Sequence, residues 1–140
     1  MTVHDVYREI HIVLLKGLQK IGGEQIGFER SQPDFREMYK RQGLSVSCFA
    51  SSARYEIEWQ GRKIVGSAQR LFGKTVLQHG SILLGDGHEQ LAHVASVDSE
   101  ERRQILADYT QKHSATMKDV CGRAVLFEEA GDAIYEAVVE

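Results

Sequence analysis

A cysteine and a lysine near the middle of the chain have the residue types and spacing for acyl chemistry. Cys48 lies in a polar loop ahead of an alternating strand, and Lys63 follows a predicted hairpin turn that can fold it back toward the cysteine. A nearby ammonium stabilises a thiolate over a thiol and can polarise a bound carbonyl. The alternatives are a buried, inert Cys48 and a solvated turn residue at Lys63.

Small residues and a histidine follow the lysine. Gly66, Ser67 and Ala68 either weaken a strand or let a ligand approach the backbone closely, because their side chains leave that approach open. His79, just before Gly80, can act as a general acid or base near neutral pH, or can simply bond a carbonyl within a strand. The local pattern alone leaves these alternatives open.

Composition restricts the class of protein. The chain has 140 residues, 42% hydrophobic and 26% charged, which predicts one globular domain. A formal charge of −3 argues against nucleic acid as the main partner. The beginning of the sequence does not resemble a signal peptide, and no apolar run predicts a membrane span, so we expect a cytoplasmic protein.

Neither the cysteines nor the histidines have the spacing of metal ligands, so the sequence predicts no metal site. We therefore expect structural or surface roles for the following residues: Cys121, His4, His11, His88, His93 and His113.

The first segment predicts a helix with one apolar face, which ends at Gly22 and Gly23. The face is formed by Val6, Ile10, Leu14, Leu18 and Ile21. Residues 24–31 are expected to form a brief strand or a loop.

The central stretch predicts an antiparallel meander. Tyr55, Ile57 and Trp59 alternate with polar residues, as in a strand with one buried face. A turn at residues 60–62 leads to a return strand over residues 63–71, and a second turn leads to a third strand over residues 75–84.

The last third predicts mainly helices, including a short one over residues 88–94. A second helix is expected to begin at an Asp98 N-cap, with Glu101 completing a capping box and Ile105, Leu106 and Tyr109 buried. Residues 114–121 are predicted to be extended or a loop. The final predicted helix has an apolar face formed by Phe127, Ala130, Ile134, Ala137 and Val138.

Two motifs together are more specific than any of these patterns. The segments GRKIVGSAQ (residues 61–69) and LQHGSILL (residues 77–84) resemble the core of the lipoate–protein ligase and octanoyltransferase superfamily, relatives of biotin protein ligases. Residues 7–22 and 114–122 also resemble family segments. The resemblance implies an α+β fold: an antiparallel-rich mixed sheet with helices packed on it.

Within that superfamily, the sequence resembles the branch that works through a cysteine. Cys48-Phe49, Tyr55-Glu56 and Gln69 match this branch, although Ser51, Ser52 and Ala53 replace its usual Pro-Ser. The resemblance implies that Cys48 takes an octanoyl group from an octanoyl-carrier protein and passes it to a lysine of a lipoyl domain or of the glycine-cleavage H protein.

The resemblance also implies roles for the other site residues. Lys63 holds the acyl carbonyl, and Gly66, Ser67 and Ala68 form a wall of the acyl slot. Gln69, His79 and Gly80 complete the substrate-binding set. No cofactor is expected, because thioester exchange onto cysteine needs no ATP.

Family members begin with an Arg-Arg and glycine-rich segment that has no counterpart in this sequence. We therefore expect residues 1–140 to be a single, incomplete domain that self-associates or uses a second chain. Two alternatives remain: a lipoate–protein ligase that uses ATP and Mg²⁺, and a non-catalytic fragment or accessory subunit.

Overall fold

The computed structural model describes residues 2–28 and 55–140 and has the predicted α+β architecture. Along the chain, the strands of two antiparallel sheets follow an N-terminal helix and precede a set of C-terminal helices. In chain order the elements are α1 (Val3–Gly22), β1 (Gly27–Phe28), β2 (Ile57–Trp59), β3 (Arg62–Lys63), β4 (Val65–Phe72), β5 (Thr75–Ile82), a 3₁₀ turn (His88–Gln90), α2 (Leu91–Val94), α3 (Glu100–His113), α4 (Met117–Cys121) and α5 (Phe127–Val139).

Helix α1 confirms the prediction for the first segment. It begins at a capping box in which the Asp5 backbone N–H donates to Thr2 Oγ1 (3.2 Å) and the Thr2 backbone N–H donates to Asp5 Oδ2 (2.6 Å). It ends at Gly22, and Gly23 follows with φ of 77°, a backbone conformation that favours glycine.

The last predicted helix is also confirmed, as α5, and it packs closely on α1. Its predicted apolar face is wrong at two positions, because Phe127 and Val138 are 79% and 62% exposed. A Cβ at Gly17 would lie 2.8 Å from the Cα of Ile134, so the close crossing of the two helices requires a glycine at this position. Leu18, one position further along α1, is fully buried in the core.

The meander prediction gave the antiparallel pairings correctly but not the continuity of the strands. β2 pairs with β1 and β3, whereas β4 pairs with β5 in a separate hairpin. The predicted strand 63–71 is interrupted at Ile64, whose N–H donates to Ile57 O (2.9 Å) while its carbonyl accepts from Leu83 N–H (3.0 Å). The third strand stops at Ile82 rather than at residue 84.

The β4–β5 hairpin is buried at its base and exposed at its tip. Val65 and Gly66 are buried, whereas Leu71, Phe72 and Leu77 are each about half exposed. Among the described residues, neither strand of the hairpin pairs with a further strand. The hairpin base is therefore the part that can contribute to a protected site.

Helix α3 corrects two expectations. Its N-cap is Ser99, whose hydroxyl accepts from Arg102 N–H (3.2 Å), so the predicted box between Asp98 and Glu101 is wrong. Ile105 is 41% exposed, because the buried face of the helix runs through Leu106, Tyr109 and Thr110.

Residues 114–121 are not simply extended or a loop, because they contain α4. Thr116 and Asp119 form a capping box that starts this short helix. Before it, the chain runs beside β3 with a parallel bridge between Lys63 and Ser114, and Ala115 N–H donates to Lys63 O (2.9 Å). This parallel contact makes the pairing mixed and fixes the backbone at Lys63.

One apolar core joins α1, the sheets and α4, and a smaller one joins α2 to α3. Within residues 2–28 and 55–140, no helix is both long enough and apolar enough to cross a bilayer.

Candidate functional site

Five side chains form a connected set of contacts at the hairpin base; they come from α1, from the residue just before β2, from β3 and from β4. We call these residues the polar cluster: Tyr7, His11, Glu56, Lys63 and Ser67. The cluster includes two of the residues that the sequence predicted, Lys63 and Ser67.

Lys63 is buried and paired with a buried carboxylate. Its Nζ lies 3.3 Å from Glu56 Oε2, and the two residues are only 8% and 4% exposed. The Tyr7 hydroxyl donates to the other carboxylate oxygen, Oε1, at 3.1 Å. An ion pair removed from water is weakly screened, and its geometry is set by such additional hydrogen bonds. Lys63 is therefore a positioned cation and not a solvated turn residue.

His11 connects two separate segments of the chain to α1. Its Nδ1 lies 2.8 Å from the backbone oxygen of Tyr55, and its Nε2 lies 3.1 Å from Ser67 Oγ. A carbonyl can only accept, so Nδ1 carries the proton. In the neutral ring Nε2 then accepts, and the Ser67 hydroxyl donates to it.

The environment of His11 favours this neutral ring. Burial disfavours the imidazolium and lowers the pKa of His11 below its ordinary value, and the nearby Lys63 cation lowers it further. The hydrogen bond to the Tyr55 carbonyl acts in the opposite direction, but it is outweighed by burial. The ring of Tyr7 stacks on the histidine, with the ring centres 4.1 Å apart.

The small residues of the first motif lie where β4 and β5 approach each other most closely. Ser67 is directly opposite Gly80 in the register. A Cβ at Gly80 would lie 2.8 Å from Ser67 Oγ and would also strike the carbonyl oxygen of Gly66, so this position requires glycine. Gly66 is buried, Ser67 half-buried and Ala68 exposed, so exposure increases along β4 away from the hairpin base.

Two other predicted site residues lie further along the hairpin. Gln69 donates from Nε2 to Gln78 Oε1 (3.1 Å), a cross-strand contact between the two motifs. His79 is opposite Ala68 and is exposed. No hydrogen bond joins His79 to the polar cluster in the described part of the structure.

Of the two cysteines, only Cys121 falls in the described part of the chain. Cys48 lies outside the described residues, so its nucleophilic role stays a prediction. Cys121 is half-buried, with its Sγ 3.9 Å from the backbone oxygen of Ile21, which fits the structural role expected for it. Within residues 2–28 and 55–140, no three His, Cys, Asp or Glu side chains converge in a group that could hold a metal ion.

Sequence reasoning missed Tyr7, His11 and Glu56. The strand pattern placed Glu56 on the solvent side, but it is buried because its carboxylate faces Lys63 and Tyr7. Two signals were available. Tyr7 and His11 are four positions apart, hence on the same helix face, and Tyr55-Glu56 is part of the family resemblance.

Comparison with known proteins identifies the class. The model of the family described as lipoyl protein ligase A/B catalytic domain matches residues 1–139, nearly the whole chain. The chain belongs to this family. No solved structure matches it.

The particular relatives are octanoyltransferases. The chain is 34% identical over 139 residues to octanoyltransferase LipM of Kyrpidia tusciae, and the matched region covers 99% of the chain and 50% of that protein. It is 31% identical to LipM of Brevibacillus brevis (94% of the chain, 48% of that protein) and 30% identical to LipM of Bacillus subtilis (96% and 48%). The chain thus spans about half the length of the curated relatives that it matches.

Proposed function

We propose that this chain carries part of an octanoyltransferase site for protein lipoylation. The observation that carries the proposal is the buried Lys63–Glu56 pair at the start of the first family motif. A buried, oriented ammonium suits the stabilisation of charge that develops on an acyl oxygen. The octanoyltransferase relatives support the same reaction class.

In the first step, the Cys48 thiolate attacks the thioester carbonyl of an octanoyl-carrier protein. A carbon–sulfur bond forms to Cys48, the bond to the carrier sulfur breaks, and the carrier thiolate leaves and takes up a proton. The product is an octanoyl-cysteine. Thioester exchange is close to balanced in free energy, so this step needs no ATP and we propose no cofactor.

Lys63 acts on the carbonyl oxygen in both steps. An ammonium has three N–H donors, so its contact with Glu56 is compatible with a second contact to the acyl oxygen. The Tyr7 hydroxyl on Glu56 fixes the carboxylate, and the carboxylate directs the ammonium. We propose that this arrangement aims Lys63 at the developing oxyanion.

The hairpin base forms one wall of the acyl slot. Gly66, Ser67 and Ala68 have small side chains or none, and the absence of a side chain at Gly80 permits the close approach of the two strands. Gln69 and His79 lie at the outer end of this wall, where we propose that they contact the carrier or the acceptor.

In the second step, a lysine of a lipoyl domain or of the glycine-cleavage H protein receives the octanoyl group. Both protein partners are part of the proposal.

A second polypeptide, or a second copy of this chain, is a further proposed partner. Light scattering and co-purification test this directly. A chain that stays monomeric and is active alone contradicts it.

The decisive experiment follows the acyl group by intact mass. The chain is incubated with octanoyl-carrier protein, both alone and with the remaining half of a LipM relative added. The expected result is one octanoyl adduct that hydroxylamine removes, present in the wild type and in the matched control Cys121→Ala but absent in Cys48→Ala.

Three results contradict the proposal. If the adduct is lost in Cys121→Ala but kept in Cys48→Ala, the nucleophile is Cys121 and not Cys48. If no adduct forms under either condition, the proposed acyltransferase activity is wrong. Formation of lipoyl-adenylate from lipoate, ATP and Mg²⁺ that persists in Cys48→Ala establishes the ligase alternative instead.

A further inference from the structure

His11 and Ser67 form a hydrogen-bonded pair that the proposed acyl transfer does not yet use. His11 is fully buried on α1, and Ser67 is half-buried in the small-residue wall. The two atoms that join them, Nε2 and Oγ, are 3.1 Å apart. Ser67 therefore lies at the proposed slot, and its hydroxyl is hydrogen-bonded to a buried residue.

The direction of this hydrogen bond is fixed by the other end of the ring. Nδ1 donates to the Tyr55 carbonyl at 2.8 Å, which leaves Nε2 of the neutral ring as an acceptor only. The single proton of the Ser67 hydroxyl is then committed to His11. The Ser67 oxygen keeps its lone pairs, so toward the slot it acts as an acceptor.

A hydroxyl oxygen that accepts a hydrogen bond but cannot donate one suits the attacking amine of the second step. The attacking amine must be neutral and must keep its lone pair for the acyl carbon. A freely rotating hydroxyl can donate to that lone pair and block it, whereas an oxygen with a committed proton can only accept an N–H of the amine. Burial and the Lys63 cation keep His11 neutral, which maintains this polarity.

We propose that Ser67, held by His11, orients the incoming lysine amine of the acceptor protein for attack on the octanoyl group. The inference rests on the proposed function. His11 is a positioning residue, since it acts through Ser67. The amine nitrogen forms a bond to the acyl carbon, the bond to Cys48 sulfur breaks, and one amine proton passes to the leaving thiolate, giving an amide and a free thiol.

The pair predicts a split between the two half-reactions. Loading of Cys48 from octanoyl-carrier protein involves no amine, so Ser67→Ala, which also alters the slot wall, is expected to slow loading much less than transfer. Transfer from preloaded enzyme to a lipoyl domain is expected to slow about tenfold, the effect of losing one hydrogen bond in the transition state.

The variants are chosen to separate orientation from folding. Ser81→Ala is the matched control: it removes an exposed serine from the paired strand and is expected to change neither rate. His11→Asn can keep an N–H donor toward Tyr55 but has no atom at the position of Nε2 to accept from Ser67, so it is expected to slow transfer selectively. The double variant His11→Asn with Ser67→Ala is expected to be no slower in transfer than Ser67→Ala, because both changes remove the same interaction.

A spectroscopic measurement tests the hydrogen-bond direction without activity. In ¹⁵N-labelled full chain, His11 is expected to give the signature of a neutral ring protonated at Nδ1, and Ser67→Ala is expected to shift its Nε2 resonance. A ring protonated at Nε2 overturns the inference, even if Ser67→Ala slows transfer.

The outcomes distinguish the two proposals. If wild-type enzyme loads Cys48 and Ser67→Ala transfers at the wild-type rate, or slows loading and transfer equally, the inference about the amine is wrong and the acyltransferase stands. If wild-type enzyme does not load Cys48 with the remaining half of a relative present, the proposed function fails, and the inference fails with it.

Discussion

Two helices of this protein carry the same local feature, a tyrosine followed four residues later by a histidine stacked on it. On α1 the ring centres of Tyr7 and His11 are 4.1 Å apart, and on α3 those of Tyr109 and His113 are 3.9 Å apart. In both pairs the histidine Nδ1 donates to a backbone carbonyl. The stacking follows from the helix, which places residues four apart side by side.

The two pairs differ in what their hydrogen bonds connect. His113 donates to Tyr109 O, within its own helical turn, at 2.9 Å. His11 donates to Tyr55, which is distant in sequence, and its second nitrogen reaches Ser67 in the hairpin. The first pair therefore holds three segments together at the candidate site, whereas the hydrogen bond of the second reinforces the end of a helix. Local sequence produces the pair, and tertiary packing gives it a role.

The largest effect is expected from removing each histidine ring. His11→Ala leaves a cavity at a fully buried position and breaks two hydrogen bonds between segments, so the free energy of unfolding should fall by about 3–5 kcal/mol. His113→Ala, at a half-buried position, should cost about 1 kcal/mol or less. Urea unfolding of the two variants measures both values, and equal losses contradict the distinction.

The next effect comes from the ion pair that the α1 tyrosine supports. Glu56→Gln keeps the size of the side chain but leaves the Lys63 ammonium beside a neutral amide in a buried place, at a cost of about 3 kcal/mol. Asp86→Asn is the matched control, because the Asp86–Lys118 pair (2.7 Å) is exposed and contributes little. If both variants lose the same stability in urea unfolding, burial does not set the value of the Lys63 pair.

A smaller effect is expected from the tyrosine hydroxyl. Tyr7→Phe keeps the stacked ring but removes the hydrogen bond to Glu56, which should lower the free energy of unfolding by about 1.5 kcal/mol. The control Tyr135→Phe changes an exposed tyrosine on α5 and should stay within about 0.5 kcal/mol of wild type. Thermal unfolding followed by circular dichroism compares them; a Tyr7→Phe variant as stable as the control shows that the hydroxyl contributes nothing to the site.

The sequence was most informative where a local rule decides the structure. Helix α1, its glycine stop at Gly22 and the antiparallel pairings all follow from short-range periodicity or turn chemistry, and they are confirmed. The strand break at Ile64 could not be predicted in this way. It arises because Ile64 bonds to Ile57 in one sheet and to Leu83 at the end of the other, a contact between distant segments.

The same limit applies to the candidate site. Motif spacing pointed to Lys63 and Ser67, and the resemblance gave the family. Nothing in the helix pattern distinguishes His11 from His113, because each is four residues after a tyrosine. Only the packing of α1 against the residues around Tyr55 and the hairpin base shows which histidine belongs to the polar cluster.

The smallest expected effect is a pH dependence carried by His11. Its folded-state pKa lies below the ordinary histidine value of 6.5, through burial first and the Lys63 cation second. At pH values above this ordinary pKa, both the folded and the unfolded chain hold a neutral His11 ring. As the pH falls below it, the unfolded chain binds a proton before the folded chain does, so stability is lost until the pH reaches the lowered pKa.

The loss of unfolding free energy per pH unit has an upper limit, because it comes from one residue, His11. A single proton changes the free energy of unfolding by at most about 1.4 kcal/mol per pH unit. Urea unfolding of wild type and His11→Gln at a series of pH values isolates it, because the difference between the two chains should shrink as the pH falls below about 6.5. A difference that grows toward acid means that His11 gains a proton more readily in the folded chain. The imidazolium then donates from both nitrogens, and Ser67 is no longer an acceptor with a committed proton.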